Sequence, residues 1–168
     1  MDEAALPMVQ TLLETQAAAL ALFARTWCDT PEDVVQDSLL KLARQSPLPE
    51  QPIAWMYQAV RRRAITVGRA ESRRRKRETA TAHSTDWFLS SLDDALDART
   101  AADALHDLPA ELREVVVARL WGQLSFQEIA DLVGCSSSAA HRRYVSGLTA
   151  LRQRLGIPCP NPNSSHPS

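Results

Sequence analysis

The sequence predicts an all-α protein of two small helical domains joined by a flexible linker, the second carrying a helix-turn-helix. Three observations predict it. Glycine is scarce, 5 of 168 residues, while alanine, leucine, arginine and glutamate dominate. Strand-like alternation of β-branched residues is missing, so apolar residues recur at helical rather than strand spacing. Charge is polarised along a chain whose formal sum is only −1. A near-neutral total hides a basic segment, an acidic segment and a second basic segment, and such separation lets a neutral chain bind a polyanion.

Bulk composition excludes several classes. The hydrophobic fraction of 45% is ordinary for a globular protein. Cys28, Cys135 and Cys159 are odd in number and far apart, so they form neither a disulfide framework nor a CxxC zinc pair. A reducing, intracellular setting is the simplest expectation. The N-terminus, MDEAALPMVQ, is acidic and unlike a signal peptide. No apolar run is long enough to span a bilayer, so no membrane insertion is expected.

Taken in order, Pro7 suits a first helical turn, and a helix is expected from there to about Trp27. Thr30-Pro31-Glu32-Asp33 restarts a helix, with Thr30 as N-cap, Pro31 at the first position and Asp33 at the third. Val34, Val35, Leu39, Leu42 and Ala43 make its apolar side, and it should end near Gln45. The segment SPLPEQP (46–52) is a loop, because proline removes amide donors and fixes φ. A long helix is expected from Ile53 to about Arg77, with Met56, Val60, Ala64 and Val67 as the buried stripe. Nine basic residues lie between Arg61 and Arg77, opposed only by Glu71.

The stretch after Arg77 is small and polar except for Trp87, Phe88 and Leu89, and reads as a linker whose three apolar residues dock on a neighbouring domain. An acidic helix is expected from near Leu92 to just before Pro109. AELREVVVARLWG follows, stopped by Gly122. The tail IPCPNPNSSHPS, from Ile157, carries no packing signal and is expected to be disordered. These divisions give units at 1–78 and 92–156, a linker at 79–91 and a tail at 157–168.

SFQEIADLVGCSSSAAHRRY (125–144) carries the chemistry. Ser125 with Glu128 makes a capping box, and Ile129, Ala130, Leu132 and Val133 supply the buried side. Gly134 allows the left-handed turn, and Ser136 or Ser137 caps the next helix. Ala140, Tyr144, Leu148 and Leu151 point inward, leaving Ser138, His141, Arg142, Val145 and Thr149 outside. This is a helix-turn-helix pattern, whose second helix enters the DNA major groove. On the hairpin alone, DNA binding and an ordinary solvated basic helix are equally supported. The arginine-rich helix upstream shifts the balance toward DNA.

From about Val9 to Leu155 the chain resembles a bacterial RNA polymerase sigma factor of the extracytoplasmic-function type, in the sigma-70 family. Three segments carry the resemblance. PEDVVQDSLLKLAR resembles the core-polymerase-binding helix. AWMYQAVRRRAITVGR resembles the helix that opens and reads the −10 element. LPAELREVVVARLWGQLSFQEIADLVGCSSSAAHRRYVSGLTALRQRL resembles the region that reads the −35 element. The three in this order, at this length, are strongly specific.

The resemblance implies that Asp33, Gln36 and Asp37, which share one helix face, dock on the β′ clamp of core polymerase. It places Arg61, Arg62, Thr66, Arg69 and Arg73 on or near −10 DNA, with Trp55 mainly in the core. Promoter opening then needs no ATP, because extruded bases captured on the protein offset lost pairing. It places Ser137 and Ser138 at a phosphate and His141, Arg142, Val145 and Ser146 in the −35 groove, where arginine suits a guanine edge and valine a thymine methyl. Arg143 serves either a phosphate or an internal ion pair. The implied partners are core polymerase, promoter DNA and an anti-sigma factor, in the bacterial cytoplasm, with no cofactor and no small-molecule substrate.

Departures limit the transfer. Many relatives have Asn where Arg62 stands, Asp or Asn where Thr66 stands, and Gly-Thr-Val where Ser138-Ala139-Ala140 stands. The loop SPLPEQP lacks the aromatic and glycine residues common there, so promoter preference does not carry over.

A stand-alone helix-turn-helix regulator is the alternative, but it leaves the first three helices without a task. An enzyme would need clustered carboxylates, histidines or metal ligands. His83, His106, His141 and His166 show no ligand spacing, so neither a catalytic residue nor a metal site is expected. An adaptor protein would not need a basic recognition helix.

Overall fold

The computed structural model describes residues 5–77, 100, 101 and 103–157, and among these the chain is all-helical with no strand. Six helices order the molecule: α1 (Ala5–Ala24), α2 (Pro31–Ala43), α3 (Pro52–Arg77), α4 (Ala110–Leu120), α5 (Phe126–Val133) and α6 (Ser137–Arg154). Residues 103–106 form a helical segment before α4. The expected linker, the docking of Trp87 to Leu89, most of the acidic helix, and the tail beyond Ile157 lie outside the described residues.

Local chemistry sets most helix boundaries. Pro7 falls in the first turn of α1, where its missing donor costs nothing. α1 ends at Ala24, three residues short of the expected Trp27, because Thr26 and Trp27 tighten into bonds to the carbonyls of Phe23 and Ala24. The Trp27 carbonyl then lies so close to Gly68 of α3 that any Cβ there would collide with it. α3 begins one residue before Ile53, with Pro52 itself at the first position.

One expected cap is not made. Thr30 stands at the N-cap of α2, but its side chain makes no cap hydrogen bond. Its hydroxyl instead donates to Glu71 Oε1 at 3.3 Å, and the Asp29 amide donates to Glu71 Oε2 at 3.1 Å. Asp29 also pairs with Arg75. The lone acid of the basic helix is thus occupied in holding the α1–α2 corner onto α3. A tertiary partner wins Thr30 from its local one.

α2 packs against both α1 and α3, burying Val34, Val35, Leu39 and Leu42. Met56, Val60 and Ala64 of α3 are fully buried, while Val67 is only partly covered. Phe23 and Tyr57 meet edge to face at 5.0 Å in this core, and Phe23 meets Trp27 at 5.1 Å. In the second half α6 packs on α4 and α5.

The two halves share a core. Val115, Val116, Val117 and Ala118 are four consecutive residues of α4, each fully buried. Four consecutive residues cover more than a full helical turn, so α4 has a covered face on every side. One side takes α6 and α5; the other takes α1. Where α4 ends, Gly122 meets the Tyr57 ring, and a Cβ there would stand 2.7 Å from Tyr57 Cζ.

Candidate nucleic-acid interface

The helix-turn-helix is built by short-range hydrogen bonds. Ser125 Oγ accepts from the Glu128 amide at 3.2 Å, and the Ser125 amide donates to Glu128 Oε2 at 2.7 Å, so the capping box is complete. Gly134 ends α5 with φ 72° and ψ 47°, a left-handed conformation that costs a glycine little. Its amide donates to the Ala130 carbonyl at 2.9 Å. Ser136 is the cap of α6, accepting from the Ala139 amide at 3.2 Å. α6 then seats on α4 through the buried Ala140 and Gly147. A Cβ on Gly147 would stand 2.5 Å from Val116 Cγ2, so the small residue sets how near α6 lies.

The opposite face of α6 is open. Ser138, His141, Arg142, Val145, Ser146 and Thr149 are exposed, and Ser137 is half-buried. Val145, at 47% exposure, is a large apolar residue left in solvent beside Arg142. Arg142 has no ion-pair partner among the described residues. Arg143 is different. It is half-buried, and its charge acts on Glu114 of α4.

α3 presents a second stripe. Arg62, Thr66, Arg69 and Arg73 are all exposed, at spacings of four, three and four, so they line one face. Thr66 Oγ1 donates to the Arg62 carbonyl at 2.9 Å, and Arg62 Nε donates to the Gln58 carbonyl at 3.3 Å. Trp55 is half-buried against the core.

Arg61 lies off that stripe, turned toward α4. Its Nε donates to Glu114 Oε2 at 2.9 Å, and its guanidinium sits 5.5 Å from the Trp27 ring centroid. Glu114 is only 4% exposed. Burial pushes its carboxyl above the ordinary glutamate range, against the lowering effects of the Arg61 hydrogen bond and charge and of Arg143; Glu111 adds to the rise. Sequence reasoning missed Glu114. The available signal was a single acid set against the run VVVA, which has no polar face of its own.

On α2, Asp33 and Gln36 are exposed. Asp37 is half-buried and accepts from Arg63 Nη2 at 2.8 Å and Nε at 3.1 Å. The three residues therefore share a face, with Asp37 already tied to α3. No three His, Cys, Asp or Glu residues gather as a metal site among the described residues. No described helix is long and apolar enough to cross a membrane. Cys28 is buried, and burial pushes its thiol up to about 11, while Cys135 is half-buried in the turn before α6.

A family model described as Sigma-70, region 4 matches residues 99–151, the segment that holds α4, α5 and most of α6. RNA polymerase sigma factor SigV of Bacillus subtilis (strain 168) is 26% identical over 130 residues, 76% of either chain. Among solved structures, the sigma factor RpoE in complex with the anti-sigma factor NepR from Bartonella quintana is similar at a TM-score of 0.73 and 24% identity, over 89% of this chain and 97% of that one. CnrH in complex with the cytosolic domain of CnrY is similar at a TM-score of 0.57 and 21% identity, over 90% and 89%. The two structures establish the all-helical fold. The region 4 match covers the C-terminal helices, and the similarity to SigV extends over three-quarters of the chain.

Proposed function

We propose that the chain is a transcription initiation factor that binds core RNA polymerase and directs it to promoters through a −10 and a −35 element. The observation that carries this is the presence of two separate open DNA-suited faces on one chain. One is the Arg62–Thr66–Arg69–Arg73 stripe on α3. The other is the exposed face of α6 in a fully capped helix-turn-helix. Residues 1–78 form the polymerase- and −10-binding unit, 92–156 the −35-binding unit, 79–91 the linker and 157–168 the tail.

Each role follows from residue chemistry. Asp33, Gln36 and Asp37 offer an acidic, polar face to the β′ clamp, a contact that weakens with salt. Arg62, Arg69 and Arg73 hold phosphates and stack on unpaired bases, with Thr66 as a shorter polar contact. Arg61 joins them only by giving up Glu114. Captured bases offset the lost base pairs, which aids melting without ATP. Ser137 and Ser138 place the start of α6 at a phosphate. His141, Arg142, Val145 and Ser146 face base edges in the −35 groove, and Arg143 acts from the side of the helix nearer Glu114.

The protein works by binding rather than by catalysis, in the bacterial cytoplasm, without cofactor or small-molecule substrate. An anti-sigma factor is the expected inhibitor, and the similar RpoE is a complex of that kind. A stand-alone regulator is not favoured, since it gives α2 and α3 no task.

Run-off transcription with core polymerase on a genomic-fragment library tests this reading. Specific new start sites that require the chain are expected. Initiation unchanged by its addition would overturn it.

A further inference from the structure

His141 is exposed on α6, and an exposed imidazole ordinarily samples several rotamers. Here it is held. Its ring meets Phe126 at 5.0 Å between centroids with the planes at 79°, an edge-to-face contact. Tyr144, three residues along the same helix, meets Phe126 at 5.6 Å and 62°. Arg119 of α4 sets its guanidinium 4.8 Å from the Phe126 ring centroid. Arg119 is itself anchored, its Nη1 donating to the Leu124 carbonyl at 2.7 Å.

Phe126 therefore gathers side chains from α4 and α6 while standing at the first position of α5. It also packs partly against the core, but the other duties of its position are met elsewhere. The start of α5 is secured by the Ser125–Glu128 box. The buried side of α5 is supplied by Ile129, Ala130 and Leu132. Phe126 itself remains only partly covered.

We propose that Phe126 is a specificity-determining positioning residue for −35 recognition. It presets the His141 imidazole toward one base-pair step, with Arg119 backing the ring. This rests on reading α6 as the −35 helix. A side chain held in its bound geometry loses less freedom on binding, and it reaches one partner rather than several. A loose His141 would meet neighbouring bases or a phosphate with little preference. Loss of the Phe126 ring should therefore cost selectivity at one step more than it costs affinity.

The experiment uses the full chain with core polymerase on a promoter library randomised across the −35 element, reading transcript enrichment position by position. His141→Ala defines the step that His141 reads. Phe126→Leu is expected to flatten preference at that same step by roughly two- to tenfold, the ratio an edge-to-face ring pair supports, with other positions preserved. Phe126→Met, which keeps apolar volume without the ring, should do the same, and Phe126→Tyr should restore selectivity. An even loss over the whole library in both the Leu and Met variants would overturn the proposal, because that is what a purely structural role produces. So would an unchanged step in variants that transcribe normally. If His141→Ala flattens no position while Arg142→Ala does, α6 still reads DNA but Phe126 has nothing to position, and the proposal fails. If neither flattens any position, the reading of α6 fails with it.

Discussion

The two DNA-suited helices hold their cations in different ways. On α6, Arg142 stands in solvent with no ion-pair partner among the described residues. The exposed set around it is carried by a helix whose opposite side is buried at Ala140 and Gly147. On α3 much of the positive charge is already spent inside the molecule. Arg61 is bonded to Glu114, Arg63 to Asp37, and Arg75 to Asp29. A basic sequence therefore overstates the field that α3 offers to DNA, since Arg61, Arg63 and Arg75 are paired within the molecule while the Arg62–Thr66–Arg69–Arg73 stripe stays exposed. In the proposed reading, α6 is suited to direct readout and α3 to phosphate attraction.

That contrast breaks first at Arg142. Arg142→Glu should reduce transcription from a −35-dependent promoter by about 10- to 100-fold, since one good bidentate base contact is worth about 1–3 kcal/mol. Its melting temperature should stay unchanged, because the side chain is exposed and makes no ion pair among the described residues. An equal loss on promoters with a scrambled −35 element would show that Arg142 is only a phosphate contact.

The helix starts make a second pair. Ser125→Ala removes a complete capping box and should cost about 1 kcal/mol in chemical denaturation. Thr30→Ala should cost only a fraction of that, because its hydroxyl caps nothing and makes a long bond to Glu71. Equal costs would mean that the Glu71 contact is worth as much as a cap.

Much of this is legible in the sequence alone, and the reason is range. The Ser125–Glu128 box, the Gly134 turn and the Met56–Val60–Ala64 stripe are set by residues within a turn or two of one another. Their chemistry needs no knowledge of the fold. The loss of the Thr30 cap is not legible in the sequence, because its rival, Glu71, is 41 residues away. Arg61–Glu114 spans 53 residues and Arg63–Asp37 spans 26. No spacing rule reaches across such distances. Gly147 and Phe126 were passed over for the same reason, since each matters only through the helix packed against it.

Salt dependence separates the faces more finely. Arg69→Ala should weaken promoter binding by the holoenzyme only a few-fold, at all sequences alike, and lower the slope of log affinity against log salt by about one. A change in sequence preference would instead give α3 a reading role at that position.

The smallest expected effect lies at Glu114. Its carboxyl is raised above the value of the unfolded chain, chiefly by burial. With respect to this group, stability is greatest at low pH and declines as pH rises from the unfolded-state value through the folded-state value. Glu114→Gln should flatten that limb of the stability profile, measured by denaturant unfolding at successive pH values. Arg61, Arg143 and Glu111 also face this carboxyl, so the test reads the variant against wild type. A limb of unchanged slope would assign the pH dependence to another group.

The central claim is that this chain finds promoters as part of RNA polymerase rather than alone. Footprinting one of its promoters with the chain, with core polymerase, and with both, at the same salt concentration, tests this most directly. Protection of the −10 and −35 elements only when both are present is the expected result. Protection of either element by the chain alone would contradict the account.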